Sequence, residues 1–276
     1  SNTYKIFIII YMLKSGHTNS AGFFSHCSVK LENIVKFINK NKKIPDIVVC
    51  TNHFQKYKRT DDIGKDITFD YFKDYNNNNI EISYSINYSF HNQWINYSKL
   101  DYKNITPLIK KYFSPSDKIN EIINNIIKKY NIIYENTLAV YYRGTDKIKE
   151  AKNLTSFDDF FKKIIEIINI NKNIKILIQT DSAEFIDYIK NKNLKNIIII
   201  DENKISYTNK GIHNEQSNDK NYNDMFYFLS TVLIISKCKY IICNSGNCSM
   251  WMLLYRGNDK NLIQYSKNTL YTFLDS

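Results

Sequence analysis

Along the chain, apolar bursts of strand length alternate with longer stretches whose apolar residues recur every three or four positions. The first pattern is that of a buried strand and the second that of a helix with one apolar face. Their alternation is the signature of βα units feeding a parallel sheet. In the first half this reading predicts a strand over 4–13, a loop over 14–25, a helix over 29–40 and a buried strand over 46–51. From 55 to 103 the chain is polar, aromatic and aperiodic, with the asparagine run at 76–79 read as a turn. A helix is predicted over 116–130, with Ser116 as its cap and Ile119, Ile122, Ile123, Ile126 and Ile127 as its apolar stripe.

The second half is more regular. It predicts strands over 137–142, 174–179, 196–200 and 240–243, separated by helices over 157–168, 183–190 and 224–236 and followed by a helix over 248–256. Four strands joined by helices make a Rossmann-like sheet. The break falls near 131–136, so the reading divides the chain into an α/β domain over 1–132 and a second over 133–276, with no internal repeat.

Composition narrows the picture. With 276 residues, 43% of them hydrophobic, there is enough apolar material for two cores. The formal net charge of +11 would ordinarily point to nucleic acid or another polyanion. Only 7 Gly and 3 Pro occur beside heavy use of Asn, Ile, Lys and Tyr, which is the mark of AT-rich codons. The lysines are scattered, as at Lys40, Lys42 and Lys43 or Lys190, Lys192 and Lys195, with no basic stripe interleaved with aromatics, so no nucleic-acid partner is expected. Cys27, Cys50, Cys238, Cys243 and Cys248 are odd in number and lack any CxxC pair, and they read as free thiols of a reducing, cytoplasmic setting. No apolar run approaches the ~18 residues that span a bilayer.

Ligands of open parallel sheets bind outside the carboxyl ends of the strands. Four polar segments fall there: Arg143-Gly144-Thr145-Asp146-Lys147, Thr180-Asp181-Ser182, Asp201-Glu202 and Asn244-Ser245-Gly246-Asn247. Arg143 can grip a phosphate through two parallel N–H groups, with Asp146 to orient it and Lys147 as a further cation. Backbone N–H groups of 244–247, ahead of a helix, could face an anion. Asp224 reads either as a first-turn acid favoured by the helix dipole or as a carboxylate that accepts from a base edge, as guanine N1–H and N2–H would allow. There is no P-loop, no GxGxxG, no GxSxG and no HExxH, and no Asp-x-Asp stands at a strand end, so no metal site is expected.

The string Tyr141-Tyr142-Arg143-Gly144-Thr145-Asp146-Lys147 resembles the His-x-Arg-Arg-Thr-Asp-Lys motif of α-1,6-fucosyltransferases and their relatives. Further segments are similar in the same order: 178–181, 205–207 with Gly211-Ile212-His213-Asn214, and 236–247; near the start, Gly22-Phe23-Phe24-Ser25-His26 resembles that family's Gly-aromatic-Gly loop. The match is good over 137–257 and faint over 1–136. The resemblance implies an α/β, GT-B-like pair of Rossmann-like domains whose parallel sheets face a cleft. It also implies a metal-independent, inverting transfer from GDP-fucose to a glycan hydroxyl, with no cofactor beyond the donor itself.

Carried over, Arg143 would hold the β-phosphate, Asp224 would read guanine with help from the Tyr141 backbone, and Gly22 and Phe23 would let the first domain's backbone approach the phosphates. Asp181, Ser245, Gly246 and Asn247 would line the donor pocket, and helical residues near the C-terminus would cross back to the first domain. This chain departs from the pattern at Tyr141 (His in the family), Gly144 (the second Arg), Phe24 (the second Gly), Ser182 (a second acid) and Ala151, where an acid is expected. Glu150, adjacent to that position, is the expected acceptor base. The alternative is a non-catalytic nucleotide-sugar or glycan-binding protein on the same fold, favoured by Gly144 and Ala151.

Overall fold

The computed structural model describes residues 10–16, 21–75, 80–144, 155–207, 211–267 and 269–274. Near the start, β1 (Met12–Lys14) and β2 (Ile47–Val49) pair in parallel, joined by helix α1 (Phe23–Asn41). Most of the strand expected over 4–13 lies outside the described residues. Helix α1 begins six residues before the expected 29, because Phe23, Phe24 and Cys27 are themselves buried on its inner face.

Between β2 and residue 101 the chain forms short 3-10 turns, among them Gln55–Tyr57, Phe90–Trp94 and Tyr97–Lys99, with one helical turn, α2 (Thr68–Tyr71). Helices α3 (Tyr102–Tyr112) and α4 (Asp117–Tyr130) follow. Ser116 precedes α4 as expected, but its hydroxyl donates to the Asp70 carbonyl at 3.2 Å instead of capping the helix.

The second half holds β3 (Thr137–Tyr142), α5 (Phe157–Ile170), β4 (Lys175–Thr180), α6 (Ala183–Asn191), β5 (Ile197–Ile199), α7 (Asn218–Lys237), β6 (Tyr240–Asn244), α8 (Asn247–Arg256), β7 (Leu262–Ser266) and β8 (Thr269–Phe273). These strands form one six-stranded sheet in the order β5-β4-β3-β6-β7-β8, parallel throughout except for the last. The four-stranded sheet read from the sequence is therefore short by two strands. The chain after α8 returns to this sheet as β7 and β8. The strand order reverses between β3 and β6, where doubly wound sheets open a crevice.

Every residue of β3 is buried, and its side chains alternate between two cores. Leu138, Val140 and Tyr142 pack with Phe160, Ile164 and Ile167 of α5 and with Phe185, Ile186 and Ile189 of α6. Ala139 and Tyr141 face the other way, into a cluster built from α7 and α8 that continues without a break into α1, α3 and α4. Trp251 of α8 is fully buried within it, stacked edge-on to Phe113 at 4.7 Å and donating its indole N–H to Ser28 of α1 at 2.8 Å.

Candidate functional site

Arg143 leaves β3 at the point where the strand order reverses. Its backbone N–H donates to Asn244 Oδ1 across that point at 3.1 Å. Its guanidinium Nε lies 3.7 Å from Asp181 Oδ2, and Nη1 lies 3.6 Å from Cys248 Sγ. Asp181, at the end of β4, also takes the Gly144 N–H at 2.8 Å on its other oxygen. The two side chains are 21% and 18% exposed, so the pair is held at the rim of a cleft where water still screens part of its field. Among the described residues, Asp181 is placed to orient the Arg143 guanidinium. Asp146, Lys147 and Glu150 lie outside the described residues.

The cleft has a volume of about 470 Å³, and Arg143, Asp181, Asp224 and Asn247 line it together with Gly22, Phe23 and Tyr141. From the first half come the N-terminus of α1, Tyr57 and Gln93. Phe23 is 2% exposed and its N–H already donates to the Tyr57 hydroxyl at 3.0 Å, so this amide is committed within the protein. Burial pushes the Tyr57 phenol above its ordinary range. A Cβ added to Gly22 would meet His213 at 3.8 Å, which is ordinary contact within the protein. Gly144 is different: a Cβ there would come to 2.9 Å from the Ser182 Cβ. The packing of β4 against this loop excludes a side chain where the resembling motif carries its second Arg.

Tyr141 corrects another expectation. Its backbone lies inside the parallel ladder, in register with Gln179 of β4 and Cys243 of β6, so it is not free to read a base. What lines the cleft is its side chain, whose phenol is pushed up by burial.

Helix α7 starts at Asn218, so Asp224 stands in its second turn and the first-turn reading fails. Its Oδ2 accepts from Gln216 Nε2 at 3.0 Å, and the same amide donates to Asn221 Oδ1 at 3.1 Å. Asn221 in turn donates to the His213 carbonyl at 2.9 Å. Among the described residues Gln216 Oε1 has no hydrogen-bond partner although the atom is buried, and Asn203 Oδ1 is in the same position. Asn203 is oriented by bonds of 2.8 Å from its Nδ2 to Gln179 Oε1 and Thr231 Oγ1.

The loop after β6 divides. Asn247 lines the cleft and bridges to α1 through Ser25 at 2.9 Å and Ser28 at 2.7 Å. Ser245 and Gly246 do not line it. The Ser245 N–H donates to the Tyr265 carbonyl at 2.7 Å, and its hydroxyl accepts from Gln264 at 2.8 Å. The Gly246 N–H donates to the Tyr97 hydroxyl at 3.0 Å. Amides expected to face an anion are consumed within the sheet, at Ser245, and in joining it to Tyr97, at Gly246.

All five cysteines are free and buried. Burial pushes the Cys238 and Cys243 thiols up to about 12, as expected of thiols in a core, while Cys248 lines the cleft. Among the described residues no group of three His, Cys, Asp or Glu is placed to hold a metal ion, and no helix is long and apolar enough to cross a membrane. The sequence reading missed Tyr57, Gln93, Gln179, Asn203, Lys204, Gln216 and Asn221 as cleft residues. Gln216 and Asn221 follow the Gly211–Asn214 segment closely enough to have been found. Gln93 lies in the aperiodic region and carried no signal.

No family model and no curated protein matches this chain. Solved structures do. The crystal structure of NodZ alpha-1,6-fucosyltransferase co-crystallized with GDP is similar with a TM-score of 0.52 and 10% identity, covering 96% of this chain and 99% of that one. The selenomethionine form of the fucosyltransferase NodZ from Bradyrhizobium is similar with a TM-score of 0.50 and 9% identity, over 96% and 98%. The match to NodZ soaked with GDP-fucose has a TM-score of 0.40 at 12% identity and covers 60% of this chain and 51% of that one, so there it spans about half the other's length. At these identities the likeness is one of fold: a mixed α/β chain with parallel sheets, as in the fucosyltransferases.

Proposed function

We propose that this chain is a glycosyltransferase that transfers fucose from GDP-fucose to a glycan hydroxyl, with inversion and without a metal. In this reading it is a GT-B-like protein, in which residues 133–276 bind the donor and residues 1–132 build much of the acceptor side. The observation that carries the proposal is the position of Arg143. Its guanidinium is held by Asp181 at the strand-order reversal, in the same cleft as a carboxylate, Asp224, whose orientation is set by Gln216. The fold likeness to a fucosyltransferase crystallised with GDP supports the same donor class.

The chemistry follows from these groups. Departure of GDP leaves charge on the β-phosphate, and a guanidinium already in place stabilises it without reorganising. Asp224 would accept from guanine N1–H and N2–H, a donor pair that adenine and uracil lack. Lys147 would add positive charge and Asp146 would orient Arg143. Glu150 would take the proton of the acceptor hydroxyl as it attacks the sugar carbon from the face opposite the leaving phosphate.

The second reading, a nucleotide-sugar or glycan-binding protein without turnover, is favoured by Gly144, since Ser182 leaves no room for a second Arg at that position. Calorimetry with GDP, UDP, ADP, CMP and GMP, with and without a chelator, tests the donor site. The proposal expects GDP to bind best and the chelator to change nothing; absence of nucleotide binding overturns it. Incubation with GDP-fucose and a glycan panel then separates the two readings, because the binding protein releases no GDP.

A further inference from the structure

Gln93 belongs to the turn Phe90–Trp94, in a segment without helix or strand periodicity. It is 8% exposed and lines the cleft, yet its side-chain amide makes no hydrogen bond among the described residues. Its amide atoms open onto the cleft, so their bonding capacity is available to whatever occupies it.

The backbone around it is pinned. The fully buried Tyr97 hydroxyl lies 3.0 Å from the Gln93 carbonyl and 3.1 Å from that of Gly246, and it accepts the Gly246 N–H. Gln264 of β7 takes the Tyr97 N–H at 2.9 Å and donates to the Ile95 carbonyl at 2.8 Å, while Ser266 donates to the Trp94 carbonyl at 2.9 Å. A residue of the first half is thereby fixed against the second-half sheet, at the start of α8. Arg143 reaches the same turn from its other contact, Cys248, two residues beyond Gly246.

We propose that Gln93 binds the sugar carried on the nucleoside diphosphate, which rests on the donor-site reading above. A neutral amide offers one acceptor and two donors side by side, which suits neighbouring hydroxyls of a sugar ring. A phosphate would take only its donors, and the cation that suits a phosphate is Arg143. The base edge has its own group in Asp224 and Gln216, a hydrogen-bond network separate from that of Gln93. The group bonded directly to the β-phosphate is the sugar, and Gln93 is a neutral polar side chain whose backbone is tied through Tyr97 to the start of α8, the turn that the phosphate's proposed partner also reaches.

The test is Gln93→Leu, with Gln93→Met as a second variant of similar length, each measured by calorimetry against GDP, GDP-fucose and GDP-mannose. The backbone carbonyl, not the side chain, makes the structural bond, so both variants should melt with the wild type. The expected result is unchanged GDP affinity and about a tenfold loss for the GDP-sugars, the scale of one or two neutral hydrogen bonds. Equal loss for GDP and GDP-sugars overturns the proposal, as does no loss for either. Wild type that binds no GDP overturns the donor-site reading and this proposal with it, whereas wild type that binds GDP while the variants behave as the wild type overturns this proposal alone.

Discussion

Tyr97→Phe isolates the contact that joins the aperiodic segment to the sheet. The ring volume is kept and one oxygen is removed. That oxygen serves the Gly246 N–H, the Gln93 carbonyl, the Gly246 carbonyl and Ser249 Oγ, all within 3.1 Å. Two of these survive its loss. The Gly246 carbonyl keeps the Met250 N–H at 2.9 Å, and Ser249 keeps the Asn244 carbonyl at 2.6 Å. The Gly246 N–H and the Gln93 carbonyl are left without partners. At about 1–3 kcal/mol for each orphaned buried group, and with some relaxation, the expected cost is about 2–4 kcal/mol. In a chain of 276 residues that corresponds to a fall in melting temperature of roughly 3–7 °C. Scanning calorimetry of both proteins at neutral pH measures it. A fall of less than about 2 °C would refute the argument, because it would mean that neither group depends on the hydroxyl.

Other outcomes follow from the cleft and the core. Arg143→Ala should weaken GDP binding by about 1.5–3 kcal/mol, the range for a hydrogen bond to a charged group, and abolish transfer; calorimetry and a GDP-release assay measure both. Asp224→Asn should reduce the preference for GDP over ADP and UDP in competition, and unchanged selectivity would remove Asp224 from base reading. In alkali, Cys238 and Cys243 stay protonated in the folded chain up to about 12 but ionise near 9 once unfolded. The folded state therefore holds more protons between those values, so denaturant midpoints should fall as pH rises above about 9 and be flat below it.

Strands β3 to β6 and the helices between them were legible because each strand is dominated by an apolar run and each helix buries a stripe, whereas β7, broken by Gln264 and Ser266, was not. β8 was invisible, since it is an edge strand with Thr269, Leu270 and Thr272 exposed and so shows no alternation of buried and solvent-facing apolar residues. The start of α7 was missed because Asn218, Asp219, Lys220 and Asn223 face solvent and give no apolar signal. Arg143, Asp181 and Asn247 could be found because strand ends and a helix start point to them, whereas Asp224 was reached through a helix start placed six residues late. Ser245 and Gly246 follow the same rule yet serve the fold, and no sequence pattern reveals that Tyr97 and Gln264 have claimed their polar groups. Gln93 lies where local hydrogen bonds, not hydrophobic periodicity, determine the path.

Trp251 has a consequence for how this protein can be taken apart. It carries the second half's α8 into a pocket made by Phe24 and Phe113 of the first half, with Ser28 holding its indole. The two βα runs are distinct in sequence, but they are not interchangeable modules. A chimera that grafts another chain's second half after residue 132 would have to bring a matching α1 and α3, or leave a cavity whose cost is that of a large aromatic removed from a core, about 3–5 kcal/mol. Recombination at the seam between the halves is therefore penalised by the loss of this packing.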